Sequence, residues 1–152
     1  MITIYTDGSS KGNPGPGGYG TVLIYKQHRK ELSEGFRNTT NNRMELLAVI
    51  KGLEALKVIN ADILIYSDSK YVVDAVQKGW LWGWVKKGFK DKKNRDLWER
   101  FIPLFQRNKV TFKWVKGHAG IPENERCDEL AVQAAMRPNL PADAGFENGI
   151  ND

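Results

Sequence analysis

Two strand-like segments far apart in the chain end in the same way. Ile2 to Thr6 alternates apolar and polar side chains and runs out at Asp7-Gly8, and Ile63 to Tyr66 is a nearly continuous apolar run ending at Ser67-Asp68. Between them Leu46, Val49, Ile50, Leu53 and Leu56 recur at i, i+3, i+4, i+7 and i+10, the apolar stripe of a helix for which Asn41 and Asn42 offer N-caps. A strand, a helix and a buried strand connect most simply as a right-handed crossover, with the two strands parallel and adjacent. Tyr5-Thr6-Asp7-Gly8 and Tyr66-Ser67-Asp68-Ser69 then bring two aspartates to one edge of a sheet.

The remaining segments fit around that unit. Five glycines and two prolines between Gly12 and Gly20 form a long turn, and Tyr19 to Tyr25 and Glu31 to Phe36 read as strands continuing the first one antiparallel. Tyr71 to Val76 begins a second helix. Trp98, Phe101, Ile102 and Phe105 mark a third, with Pro103 predicting a kink or a later start. Val110 to Val115 reads as the last strand. Pro122 suits the first turn of a closing helix whose core face is Cys127, Leu130, Ala131 and Ala134. Three strands followed by alternating helices and strands imply an α/β domain over residues 1–137, with a mixed sheet flanked by helices. The aperiodic segment 138–152 is expected to be a flexible tail.

The 152 residues fit one domain, and 41 % hydrophobic with 27 % charged content is that of a globular chain. One cysteine, Cys127, excludes an internal disulfide, and with two histidines it cannot build a usual structural zinc site. The chain opens directly on a strand pattern and has no long apolar run, so a cytoplasmic monomer with no membrane contact and no obligatory protein partner is expected. The net charge of +5 is local. Six basic residues between Lys86 and Arg95 stand against Asp91 alone, and the rest of the chain is balanced. Such a segment on a neutral body is a candidate polyanion contact. Trp80, Trp82 and Trp84 alternate just before it, a spacing that diverges around a helix and leaves at least one indole exposed.

Helices entering the edge that carries Asp7 and Asp68 contribute one acid each. Glu45 is placed in the first turn of its helix, and Asp128 lies one past Cys127 on the closing helix. Four crowded carboxylates repel one another unless cations neutralise them, and an all-oxygen set selects magnesium or manganese. Two such ions about 3.5 to 4 Å apart suit in-line phosphodiester hydrolysis. The competing reading of each acid alone is a helix-end or turn charge.

The motifs also resemble a known family. Asp7-Gly8-Ser9 with Asn13-Pro14-Gly15-Pro16-Gly17-Gly18, Thr40-Asn41-Asn42-Arg43-Met44-Glu45-Leu46, Asp68-Ser69-Lys70-Tyr71-Val72, and Gly117-His118-Ala119-Gly120 with Asn124-Glu125-Arg126-Cys127-Asp128 resemble type 1 ribonuclease H in content, order and spacing. The resemblance implies a ribonuclease H-like five-stranded sheet, three strands antiparallel and then two parallel. It implies cleavage of the RNA strand of RNA–DNA hybrids to 5′-phosphate and 3′-hydroxyl products, with two magnesium ions on Asp7, Glu45, Asp68 and Asp128. His118 would serve proton transfer or product release. Gly8, Asn13, Thr40, Asn41, Asn42 and Asn124 would touch nucleic acid. Trp80, Trp84, Lys86, Lys87 and Lys90 match the family's basic protrusion, which grips the DNA strand.

Lys70 departs by placing a positive charge beside Asp68 where a neutral contact is expected, and it is a further candidate contact. Ile121 is a poor N-cap. A related DNA nuclease of the same fold would lack the combined glycine-proline and Asn-Asn-Arg-Met-Glu segments, and a non-catalytic hybrid-binding module would not need four acids. Gly15 to Gly20 satisfies a dinucleotide G-x-G-x-x-G, but it leads into a strand, whereas that fingerprint must open a helix.

Overall fold

The computed structural model describes residues 1–117 and 120–149. Its elements are β1 (Ile2–Ser10), β2 (Gly15–Tyr25), β3 (His28–Thr39), α1 (Asn41–Ala55), β4 (Asp62–Ser67), α2 (Lys70–Gln77), α3 (Trp80–Lys86), α4 (Arg95–Gln106), β5 (Lys109–Trp114), α5 (Pro122–Ala135) and α6 (Ala144–Glu147). The five strands form one sheet in the order β3-β2-β1-β4-β5. β1, β2 and β3 are antiparallel, while β4 and β5 run parallel to β1. This is the expected mixed sheet. No helix among the described residues is long and apolar enough to cross a membrane.

Alternation along the strands divides the molecule into two layers of helix. Ile4, Ile65 and Phe112 face the larger core, where Leu46, Ile50, Leu53, Val72, Trp98 and Phe101 from α1, α2 and α4 are buried. Thr21 is buried on this face and satisfied, its hydroxyl donating to the Ala48 carbonyl at 2.7 Å. The opposite face carries Tyr5, Val22 and Ile24 against Cys127 and Leu130 of α5. Here α5 lies almost on the backbone of β2. A Cβ on Gly20 would meet the Cys127 carbonyl, and one on Gly18 the Ala131 carbonyl at 2.6 Å. The glycine-rich stretch therefore belongs to a strand that a helix must approach closely, and it opens no helix of its own.

Several boundaries differ from expectation. β2 begins at Gly15 instead of Tyr19, because pairing with β1 and β3 supplies the ladder partners that glycine propensity cannot foretell. The N-cap of α1 is Thr40, whose Oγ1 accepts from the Arg43 N–H at 3.3 Å; Asn41 and Asn42 are inside the helix. Pro103 sits within α4, which starts at Arg95 and continues past the proline to Gln106, so its start is not delayed. Both Pro103 and Glu99, whose carbonyl loses its usual donor, are exposed, so water can serve that oxygen.

The segment from Pro138 is not loose as far as Gly149. The Arg37 N–H donates to the Pro141 carbonyl at 2.9 Å, Asp143 is buried, and Glu147 accepts a fork of hydrogen bonds from the exposed Arg37. It is held by particular polar partners and not by an apolar stripe, which is why no periodicity announced it.

Candidate active site

The carboxylates converge because of strand register. β1 and β4 pair Tyr5 with Tyr66, and the two rings stack with centroids 4.7 Å apart and planes 9° from parallel. Two residues further along, side chains return to the same face, so Asp7 and Asp68 come out side by side. The turn bearing Asp68 is pinned by its neighbours. The Ser69 N–H donates to Ser67 Oγ at 3.1 Å, Ser69 Oγ caps α2 by accepting from the Val72 N–H at 3.2 Å, and Trp114 Nε1 donates to the Asp68 carbonyl at 3.1 Å.

Glu45 arrives from α1. A Cβ on Gly8 would collide with the Glu45 nitrogen and the Met44 carbonyl carbon, so glycine at that position is what lets α1 lie against β1 at the site. Since α1 begins at Asn41, Glu45 lies beyond the first turn, contrary to expectation, and its acid cannot be explained as a helix N-terminal charge.

Asp7, Glu45 and Asp68 each offer an oxygen within 4.8 Å of the others. Asp128 stands apart from this trio. It lines the same cleft together with Asp7, Asp68, Asn124, Val115, Lys116 and Gly117. A Cβ on Gly117 would lie 3.1 Å from the Asp68 carboxylate, so that wall is close as well.

The electrostatics are those of a site short of positive charge. Burial, then the negative charge of Asp68, pushes Asp7 from 3.8 up to about 8, with Asp128 adding to the rise and the Gly8 N–H, 2.9 Å from Oδ1, opposing it. Burial, then Asp7 and Asp68, pushes Glu45 well above the usual carboxylate range. Glu45 Oε1, Asp68 Oδ1 and Asn124 Oδ1 are buried and find no donor among the described residues. Unpartnered buried oxygens are costly, and a carboxylate set of this kind fits a hard divalent cation, which would relieve both repulsion and desolvation.

The other expected contacts divide by position. Asn13 holds the α1 N-terminus, its Oδ1 accepting from the Asn41 N–H at 3.0 Å, and Thr40 is occupied as a cap. Asn41, Asn42, Lys86, Lys87 and Lys90 are exposed. Lys70 is exposed too, with its ammonium 4.4 Å from the centroid of the Trp114 ring. α3 buries only Leu81; Trp80 is 48 % exposed, and Trp84 is partly buried with its ring edge-on to Trp98 at 5.8 Å. Trp80, Trp84, Lys87, Lys90 and Lys92 line one open hollow. His118 lies outside the described residues.

Sequence reasoning passed over Trp114 and Arg43. Arg43 stands two residues before Glu45, within a motif already singled out, and that placement was the only signal the sequence offered.

Relatives of known family share this arrangement of elements. The RNase H family matches residues 1–136. A ribonuclease H from Desulforamulus reducens is 60 % identical over 147 residues, covering 93 % of this chain and 92 % of that protein. One from Rippkaea orientalis is 56 % identical over 152 residues, covering 97 % of this chain and 93 % of that protein. Among solved structures, LC9-RNase H1, described as a type 1 RNase H with the type 2 active-site motif, superposes with a TM-score of 0.77 at 32 % identity, covering 88 % of this chain and 71 % of that one. LC11-RNase H1, solved in complex with an RNA/DNA hybrid, gives a TM-score of 0.65 at 28 % identity over 89 % of this chain and 96 % of that one. With matching motifs, sheet topology and near-full-length relatives, the chain belongs to the ribonuclease H family and is an endoribonuclease of the hydrolase class.

Proposed function

We propose that this enzyme cleaves the RNA strand of RNA–DNA hybrids by two-metal-ion hydrolysis at Asp7, Glu45, Asp68 and Asp128, with magnesium as the working ion and manganese as a substitute. The observation that carries the reading is the trio of carboxylates within 4.8 Å, two of them with buried oxygens that lack a donor. When bound, the cations would supply Lewis acidity, lowering the pKa of a water and neutralising charge on the scissile phosphate.

The chain's own residues perform the rest. Asp7 on β1 and Asp68 just past β4, brought together by strand register, hold one side of the cleft; Glu45 from α1 joins them, and Asp128 and Asn124 of α5 line the same cleft. Water adds at phosphorus and the bond to the 3′ oxygen breaks, which leaves a 5′-phosphate and a 3′-hydroxyl. His118, by family resemblance, moves a proton or assists release, and its replacement would slow turnover without abolishing it. Recognition combines 2′-hydroxyl and backbone contacts from Gly8, Asn13, Thr40, Asn41, Asn42, Lys70 and Asn124 with a grip on the DNA strand by Trp80, Trp84, Lys86, Lys87 and Lys90.

Strand-labelled RNA–DNA hybrid, RNA duplex and DNA duplex incubated with magnesium, manganese or chelator test this. Cutting of the RNA strand of the hybrid alone, and only with a divalent ion, is expected. DNA cutting, or hybrid cleavage in chelator, overturns it.

A further inference from the structure

The most densely bonded buried charge in the described molecule lies outside the cleft. The Arg43 side chain is 2 % exposed. Its Nε and Nη2 donate to the two oxygens of Asp143 at 2.8 and 3.0 Å, Nη1 and Nη2 to the two oxygens of Asp96 at 2.8 Å each, and Nη1 also to Asn94 Oδ1 at 3.3 Å. One guanidinium thus ties α1 to the start of α4 and to the C-terminal segment. Thr39 Oγ1 adds a 2.7 Å bond to Asp143 from the end of β3.

The network continues toward the basic segment. Asn94 Nδ2 donates to the Tyr71 hydroxyl at 3.1 Å, which also accepts from Trp98 Nε1 at 2.8 Å, and Trp98 supports the Trp84 ring. Between α3 and α4 three non-glycine residues, Phe89, Asp91 and Asn94, have φ of 59°, 60° and 65°. Left-handed backbone at such residues persists only where surrounding contacts impose it. Asn94 receives that contact from Arg43. Space at the clamp is also committed: a Cβ on Gly145 would collide with Asp96 Oδ2 and lie 2.8 Å from Arg43 Nη2.

We propose that Arg43, Asp96 and Asp143 form a positioning clamp that sets the Trp80–Lys90 segment at a fixed place relative to the carboxylates, with the Pro138–Glu147 segment as its brace. The C-terminal segment therefore contributes to hybrid affinity without touching the hybrid. Directional bidentate pairs suit such a role, since two parallel N–H···O bonds fix geometry as well as adding energy. The inference rests on the reading that the lysine and tryptophan segment grips the hybrid.

The test measures affinity for an uncut RNA–DNA hybrid in chelator, together with kcat and KM in magnesium, at temperatures where circular dichroism shows each variant folded. Asp143→Asn is expected to weaken binding about tenfold, as coupled contacts of this kind do, and to raise KM while kcat stays within about twofold of the parent. Gly145→Ala, which keeps every charge, should do the same by displacing Asp96, and it stands in if Asp143→Asn fails to fold. The decisive arm combines Asp143→Asn with Lys86→Ala, Lys87→Ala and Lys90→Ala. If the clamp acts through the segment, the combination loses clearly less affinity than the sum of the two separate losses. Losses that add, or a clamp variant that binds like the parent while the triple variant does not, overturn the clamp alone. A triple variant that binds like the parent overturns the grip itself, and the clamp with it.

Discussion

Replacing Asp7 by Asn should make the metal-free enzyme more stable while abolishing activity, and the gain should depend on pH. Asp7 is ordinary in the unfolded chain, at 3.8, and is pushed to about 8 in the folded one. A carboxyl whose folded pKa is raised contributes stability that is complete below the unfolded value and is lost as pH climbs through the folded value. Each pH unit in that window removes about 1.4 kcal/mol, so the ceiling is about 2 kcal/mol at pH 5.5, about 4 at pH 7 and 5 to 6 above pH 8. Asp7 is partly solvent-accessible, and water screens the repulsion; about half the ceiling, roughly 2 to 3 kcal/mol at pH 8, is the expected gain for the neutral isostere. Asp7 repels Glu45, so removing the Asp7 charge also lets Glu45 ionise more readily, which adds to the gain. Urea unfolding of both proteins in chelator at pH 4.5, 5.5, 7 and 8 measures it, with the difference growing from near zero. Saturating magnesium should narrow the difference, because the parent gains a ligand that the variant binds poorly. Equal stability at pH 8 in chelator, or an advantage independent of pH, would refute the account of the site as a cluster of repelling acids.

Gly8→Ala places a methyl group where the Met44–Glu45 backbone now lies, so α1 must move outward; a loss of about 2 to 4 kcal/mol by urea unfolding is expected, with cleavage lost beyond what stability explains. Trp114→Phe removes the indole bond to the Asp68 carbonyl while keeping a ring beneath Lys70, and should cost about 1 kcal/mol and lower kcat about three- to tenfold with little change in KM, checked by steady-state kinetics. Lys86→Ala, Lys87→Ala and Lys90→Ala together should flatten the plot of log affinity against log salt by about 2 to 3 units, measured by titrating hybrid into enzyme at several ionic strengths in chelator.

What the residue pattern disclosed follows from how each feature is encoded. Asp7 and Asp68 were legible because alternation fixes the face and the two Tyr-x-Asp exits repeat, so register did the rest. Glu45 and Asp128 were legible only through motif resemblance, since neither helical position dictates a carboxylate. The clamp was hidden because its members are 53 and 100 residues apart from Arg43 and share no period. The C-terminal segment misled for the same reason, being held by Asp143 and Glu147 rather than by an apolar face. The start of β2 was misjudged because glycine reads locally as a turn, whereas here it admits α5 to the sheet.

These observations join stability to function at one edge of the sheet. The core beneath the site is fully buried at Ile4, Ile65 and Leu46, and it over-determines the position of β1, β4 and α1. That rigidity is what can hold three acids closer than their charges favour; a looser scaffold would let them part and hydrate separately. Burial and mutual repulsion push Asp7 up to about 8 and Glu45 above the usual carboxylate range, so a cation neutralising the site would draw their protons off. Cation uptake would therefore release protons and relieve repulsion together, and Asp128, which lines the same cleft outside the trio, adds its own charge to the repulsion felt by Asp7.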